Sequence, residues 1–272
     1  MQLLIGFLLA ILIALLAWRA GALSPSGALA AILTGGLIFG LGGLPWAILL
    51  LVFFISSSAL SRLFAQRKAA LNEKFSKGSR RDWGQVIANG GLGALMALVY
   101  ALLGAPAWAW LAYIGAMAAV NADTWATEIG VLNPHPPRLI TTGKPVERGA
   151  SGAISLAGTL AALGGAALVG LFAALISPAE LPAETIPAGI VLLAATLGGL
   201  AGSLFDSLLG ATVQAIYYCP ACQKETERHP QHTCGTLTQR CRGWPWLNND
   251  GVNFLCSIAG ALAAVIVWAL IS

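Results

Sequence analysis

Residues 108–130 read WAWLAYIGAMAAVNADTWATEIG, an apolar run that closes on NADTWATEIG at 121–130. A bilayer core takes roughly 20 residues of helix, so the run is long enough to span one. It nevertheless places Asn121, Asp123, Thr124 and Glu128 at or inside its boundary. Carboxylates are costly in hydrocarbon, which makes Asp123 and Glu128 functional-site candidates. The competing reading ends the helix at Val120 and treats the rest as a wet cap. The remainder of the chain has to decide between them.

The chain has 272 residues, 57% of them hydrophobic and 10% charged. Soluble domains carry about 25% charged residues, so this composition describes an integral membrane protein. Thirty-two glycines point to closely packed helices with small residues at their contacts. The first 20 residues lack a basic n-region, and a cleavable signal is not expected. Apolar runs of spanning length lie at 2–22, 26–44, 46–65, 84–104, 106–127, 152–176, 187–216 and 251–271. The second is Gly-rich and bracketed by Pro25 and Pro45, so a broken or re-entrant segment is its alternative form. The expected fold is all-α: a polytopic bundle of about eight spans forming one membrane domain over 1–272, with a small cytoplasmic insertion at 217–248.

Charge sets the orientation. The first polar loop carries Arg62, Arg67, Lys68, Lys74, Lys77, Arg80 and Arg81. Arg138, Lys144 and Arg148 follow the opening stretch, and Lys224, Arg228, Arg240 and Arg242 occupy the third loop. With Arg19, these are all fifteen basic residues, and eight spans put every one on the same side. The positive-inside rule assigns that side to the cytoplasm and both termini to the outside. The protein is expected in a cell's inner or plasma membrane, or in a thylakoid if its source is photosynthetic. There is no nucleic-acid signature; the basic loops suit anionic headgroups or a phosphorylated ligand.

The eleven acids can be sorted singly. Glu73, Asp82, Glu225 and Glu227 read as solvated loop residues, and Glu180 and Glu184 face the outside. Asp206, in GSLFDSLLG at 202–210, interrupts an otherwise apolar run, and Asp250, in NNDGVNF at 248–254, stands at the mouth of the last span. Asn121, Thr124 and Glu128 share one helical face, as do Ser203, Asp206, Gly210 and Gln214. Asn89 adds a polar group early in the fourth span. Polar faces on several spans at one depth can line a single cavity. Independent helix–helix hydrogen bonds would account for Asn89 and Gln214, but not for Asp206, where a neutral amide would serve.

Carboxylates at such a mouth suit Mg²⁺, which is commonly held by one or two of them together with substrate phosphates. The loop PRLITTGKPVERGASGAIS at 137–155 supplies the complement. Lys144 and Arg148 can neutralise phosphate, and Gly149, Ser151 and Gly152 precede a span whose free N–H groups could cradle an anion. GASG is not a Walker A motif. Together these elements point to phosphoryl or nucleotidyl transfer. A separate cluster lies in YYCPACQKETERHPQHTCGTLTQRC, where Cys219 and Cys222 form a CxxC, followed by His232, Cys234 and Cys241. Disulfides are disfavoured in a cytoplasmic loop. A structural zinc site that folds the loop as a flap fits this set, with free thiols as the alternative. Cys256 reads as core.

NADTWATEIG, PRLITTGKPVERGASGAIS, GSLFDSLLGATVQ and WLNNDGVNF, in this order, resemble the membrane family known as domain of unknown function 92. That family includes animal transmembrane protein 19 and the phytyl-phosphate kinase of tocopherol synthesis in plants and cyanobacteria. The resemblance covers nearly the whole chain. It implies transfer of a phosphoryl group from a nucleoside triphosphate to a prenyl monophosphate, giving the diphosphate. The motif order also looks, more loosely, like the CTP-dependent dolichol and phytol kinases, and more distantly like phosphatidate cytidylyltransferase.

The expected function is therefore a Mg²⁺-dependent isoprenyl-phosphate kinase, of phytyl or geranylgeranyl type, with CTP favoured as donor. Asp123, Glu128, Asp206 and Asp250 would hold the metal, with Asp123, Asp206, Asp250 and Lys144 at the reacting centre. Asn89, Asn121, Arg148, Ser151, Gly152, Asn249 and Asn253 would line the nucleotide and its phosphates. The lipid tail would lie along small-residue helix faces; a homo-oligomer is left open. The alternative is a transporter or lipid flippase with an intramembrane acidic ion site, which paired broken helices or an internal repeat would favour. A non-enzymatic scaffold leaves Asp206 unexplained. Single cysteines placed at Lys74, Lys144 and Lys224 should all resist an impermeant thiol reagent applied to intact cells. Labelling at any one of them would break the orientation.

Overall fold

All but the first of the long helices begin or bend where the sequence carries a cap, a glycine or a proline. The computed structural model describes residues 1–65, 80–178, 181 and 186–271, and these form seven long helices. They are α1 (Gln2–Arg19), α2 (Pro25–Leu63), α3 (Trp83–Leu102), α4 (Ala107–Gly130), α5 (Leu156–Leu175), α6 (Ala188–Thr212) and α7 (Asn249–Ile271). Ser24 caps α2 by accepting from Gly27 N at 3.1 Å, with Pro25 at the first helical position. Asp82 and Gln85 form a reciprocal capping box at the start of α3. Asp82 is thus a helix cap rather than the solvated loop residue expected.

Six of the helices, against eight expected spans, are long and apolar enough to cross a membrane by length and composition. The difference has two sources. The runs 26–44 and 46–65 are two helical arms counted together as α2, which breaks at Gly43 (φ 77°, ψ −164°) just before Pro45. A positive φ is cheap only for glycine, and proline cannot donate the next helical hydrogen bond. The arms fold back on each other: a Cβ on Gly35 would lie 4.0 Å from Leu50 Cδ2, whereas fifteen residues of straight helix separate such positions by about 22 Å. The second source is α4, which is not among the six. It sits at the centre of the bundle with every residue from Ala109 to Ala122 buried, so its surroundings are protein rather than lipid.

α4 packs against α5, α6 and α7, and the contacts rest on small residues. A Cβ on Gly198 would lie 3.1 Å from Ala264 N, and one on Gly202 would lie 2.9 Å from Cys256 O while striking Ala119 Cβ. Such close backbone approach is the usual basis of helix association in membranes. Trp46, Tyr100, Trp110 and Tyr113 cluster at one end of the bundle, where Tyr113 Oη donates to Trp46 O at 2.6 Å.

The other end carries the polar connections. There Leu23 bridges to Arg81, and the Arg62 guanidinium donates to Ala20 O. β1 (Arg138–Leu139) pairs antiparallel with β2 (Ala153–Ile154), tying down the loop between α4 and α5. Between α6 and α7 the chain forms a small sheet of β3 (Ile216–Cys219), β4 (Lys224–Thr226) and β5 (Gln239–Arg242) in the order β4-β3-β5. All eleven described Lys and Arg residues lie at this end. The remaining four, Arg67, Lys68, Lys74 and Lys77, with Glu73, Glu180 and Glu184, lie outside the described residues.

Gly202→Val should destabilise the protein by about 1–3 kcal/mol, as overpacking of a filled contact does. Gly189→Val should be tolerated, because a Cβ there meets nothing within 4 Å. Thermal midpoints in detergent check the pair, and equal midpoints would contradict the packing account.

Candidate functional site

The last two turns of α4 face two neighbours at once. Asn121 is fully buried; its Oδ1 accepts from Ser56 Oγ at 3.0 Å and Ser57 Oγ at 3.1 Å, and its Nδ2 donates to Gly165 O at 2.8 Å. Two turns on, Glu128 Oε1 accepts from Ser61 Oγ at 2.7 Å. These bonds tie α4 to the second arm of α2, whose serines the sequence reading passed over. Asp123 points the other way and hydrogen-bonds Ser203 of α6. Helical geometry explains the split, because residues 123 and 128 are five apart and face different directions.

Asp123 and Asp206 meet because of what lies one turn behind them. Gly202 allows α6 to approach Ala119 of α4, and Asp206 and Asp123 each follow four residues later on helices that run the same way. The two carboxylates open into one cavity of ≈ 450 Å³ at the loop-bearing end of the bundle. Each is within electrostatic reach of Glu227, which reaches the cavity from the small sheet. Glu227 Oε1 accepts from Ser151 Oγ at 2.8 Å and from Gln214 Nε2 at 2.9 Å. Asp206 Oδ2 is buried and has no hydrogen-bond partner.

Arg81, Arg148 and the loop 149–155 complete the lining. Arg81 sits between the rings of Phe53 and Phe54 and donates to Ser58 Oγ at 2.8 Å. Burial pulls its guanidinium down to about 10, with Glu128 opposing the shift, so it stays charged at neutral pH. Gly152 (φ 81°) passes so close to Ala211 that a Cβ would strike its backbone, which seats the loop on the end of α6. Ser155 then caps α5 by accepting from Gly158 N at 3.1 Å.

Of the residues singled out in the sequence, Asp123, Glu128, Asp206, Asn89, Arg148, Ser151, Gly152, Asn249 and Asn253 line this cavity. Asn121 does not; it is a structural hub beneath it. Lys144 is exposed on the turn between β1 and β2 and is not part of the lining. Asp250 lies in the first turn of α7, also outside the lining. Glu227 corrects the expectation of a solvated loop residue, and Arg81 was counted only as loop charge. Neither stands in an apolar run, so hydropathy had no means of marking them.

The cysteines divide in the same way. Ligand atoms of Cys219, Cys222, His232 and Cys234 all lie within 4.8 Å of one another. Cys241 is apart from them, its Sγ donating to Ile216 O at 3.3 Å. Hydrogen bonds with Thr236 and His232 draw the Cys234 thiol down to about 5, while its bond with Cys234 pushes Cys222 up to about 11. Cys256 is buried in α7.

A bundle with six helices long and apolar enough to cross a membrane is that of an integral membrane protein, and its carboxylate-lined cavity opens at the loop-bearing end. The sequence profile of the integral membrane protein family DUF92 matches residues 8–261, and the chain belongs to that family. It is 32% identical to Protein PGR of Arabidopsis thaliana over 98% of both chains. It is 32% identical to an uncharacterized membrane protein of Methanocaldococcus jannaschii, over 98% of this chain and 94% of that one. It is 29% identical to Protein VTE6, chloroplastic, of Arabidopsis thaliana, over 90% of this chain and 65% of that one. No solved structure matches it.

Asn121→Ala would leave buried Ser57 and Gly165 O without their partner, at a cost of about 1–3 kcal/mol. The thermal midpoint should fall accordingly; an unchanged midpoint would remove Asn121 from its structural role.

Proposed function

We propose that the chain transfers the γ-phosphoryl group of a nucleoside triphosphate to an isoprenyl monophosphate, giving the diphosphate, with Mg²⁺ as cofactor. The observation that carries this is the meeting of Asp123, Asp206 and Glu227 in one cavity. Three carboxylates placed so close repel one another. Among the described residues, the only cationic side chains lining the cavity are Arg81 and Arg148. The all-oxygen donor set, with an unpartnered oxygen on Asp206, fits a hard divalent cation. Asp123, Asp206 and Glu227 would hold it, and when bound it neutralises charge on the transferring phosphoryl group.

In the reaction an oxygen of the acceptor monophosphate attacks the γ-phosphorus, and the bond to the β-phosphate oxygen breaks. A dianionic acceptor has no proton to lose, so no general base is needed. Positioning and charge stabilisation carry such transfers. Arg81 and Arg148 supply fixed positive charge, and the backbone of 149–152 lies beside them. The apolar chain has its own place. A cleft of ≈ 70 Å³ between α1, α2 and α3, lined by Ala14, Phe39, Leu50 and Val86, meets the polar cavity at Arg81, Gln85 and Asn89. One amphiphile could therefore put its phosphate at Arg81 and the first part of its chain in this cleft, with the remainder in lipid.

A transporter reading would be favoured by helix breaks that aim half-helix ends at the acids. The break in α2 is at Gly43, eighteen residues or about 27 Å of helix from Ser61 at the cavity. CTP is the first donor to test, because the ordered motifs look like those of the CTP-dependent polyprenol kinases. Purified protein with labelled CTP, ATP or GTP and phytyl or geranylgeranyl monophosphate should yield labelled diphosphate only when Mg²⁺ is present. Asp206→Asn should fold with an unlowered midpoint in chelator yet lose activity by at least about a hundredfold, a scale typical of lost electrostatic stabilisation. No product with any donor, or full activity in Asp206→Asn, would end the proposal.

A further inference from the structure

The insertion between α6 and α7 is too small to hold itself together by burial. Its strands are four, three and four residues long, and such short sheets need packing or a staple. A staple is available. Cys219 ends β3 and Cys222 lies on the turn after it, and His232 and Cys234 lie on the loop that precedes β5. The Sγ atoms of Cys219 and Cys234 are 3.6 Å apart, and His232 Nδ1 is 3.3 Å from Cys234 Sγ. Tetrahedral zinc with Zn–S bonds of about 2.3 Å requires S···S separations of about 3.8 Å. Cys219 and His232 are buried, and His232 Nε2 has no hydrogen-bond partner. This is a closed set of four, with no ligand position left for a substrate.

The same insertion is bolted to the cavity from both sides. Glu227, immediately after β4, holds Ser151 and Gln214. Arg242, at the end of β5, donates to Gly210 O at 2.7 Å and to Ser151 O at 3.5 Å. Gly243 (φ 80°) packs so tightly on Gln214 that a Cβ would strike its carbonyl. The staple therefore lies between the two anchor strands, and its integrity sets where Glu227 stands.

We infer that Cys219, Cys222, His232 and Cys234 bind one zinc ion, and that this zinc fixes Glu227 as the third carboxylate of the divalent-cation site in the membrane cavity. The zinc half stands on the insertion alone; the Glu227 half rests on reading the cavity as a cation site. Zinc in this position is structural and takes no part in group transfer. Its loss frees the turn between β3 and β4 from the loop that follows Glu227, and so loosens the segment that places this carboxylate.

Two measurements on full-length detergent-purified protein test this. Elemental analysis after washing with chelator should find one zinc per chain in the wild type and in Cys241→Ser, and little in Cys219→Ser. Mn²⁺ binding, read by electron paramagnetic resonance, should weaken at least about tenfold in Glu227→Gln, where zinc content stays at one. Cys219→Ser should lose zinc and Mn²⁺ binding together. Wild type without zinc overturns the staple. Mn²⁺ binding that is absent from the wild type, or unchanged in Glu227→Gln, overturns the role of Glu227. Mn²⁺ bound as expected in a protein that phosphorylates no prenyl phosphate counts against the kinase reading and leaves this inference standing.

Discussion

The contact of Gly202 with Ala119 is the point from which the rest of the arrangement follows. In lipid there is no hydrophobic drive to join one apolar helix to another, so association rests on close packing. Glycines at 198, 202 and 260 and alanines at 119 and 264 let α4, α6 and α7 approach to backbone contact. That approach costs nothing in polar groups until one turn later, where the same two helices carry Asp123 and Asp206. The packing that stabilises the bundle therefore also forces two carboxylates together. A fold that binds nothing at this point would gain from an amide or an alanine at either position. The arrangement is intelligible if the cavity is the cation site proposed above, because a cation would relieve the repulsion.

The cavity is assembled from pieces with different origins. Helices α4 and α6 contribute the membrane acids, the second arm of α2 contributes serines, and the loop before α5 contributes backbone and Arg148. The insertion contributes Glu227 and the Arg242 clamp. The three helices are built into the bundle. The others are fastened by hydrogen bonds and by glycines, Gly152 and Gly243, whose backbones press on α6.

Much of this was legible in the residues themselves. Composition determined an all-helical membrane protein, and the one-sided placement of lysine and arginine determined which end carries the loops. The positions of Asp123, Glu128 and Asp206 in apolar runs marked them as exceptional, because hydrocarbon penalises charge wherever the helix is placed. The CxxC and its later partners marked a metal-binding possibility by ligand chemistry alone.

What the sequence could not supply were relations between elements. That the arms 26–44 and 46–65 turn back on each other at Gly43 depends on a backbone angle, to which hydropathy is blind. That Asn121 is a hub for Ser56, Ser57 and Gly165 while Asp123 faces Ser203 depends on which neighbour each side of α4 meets. That Lys144 and Asp250 stand outside the cavity, and Arg81 and Glu227 inside it, was decided by loop paths. Periodicity assigns a residue to a face, and composition assigns a segment to lipid or water. Neither says which faces meet, because that is settled by close packing among helices far apart in the chain.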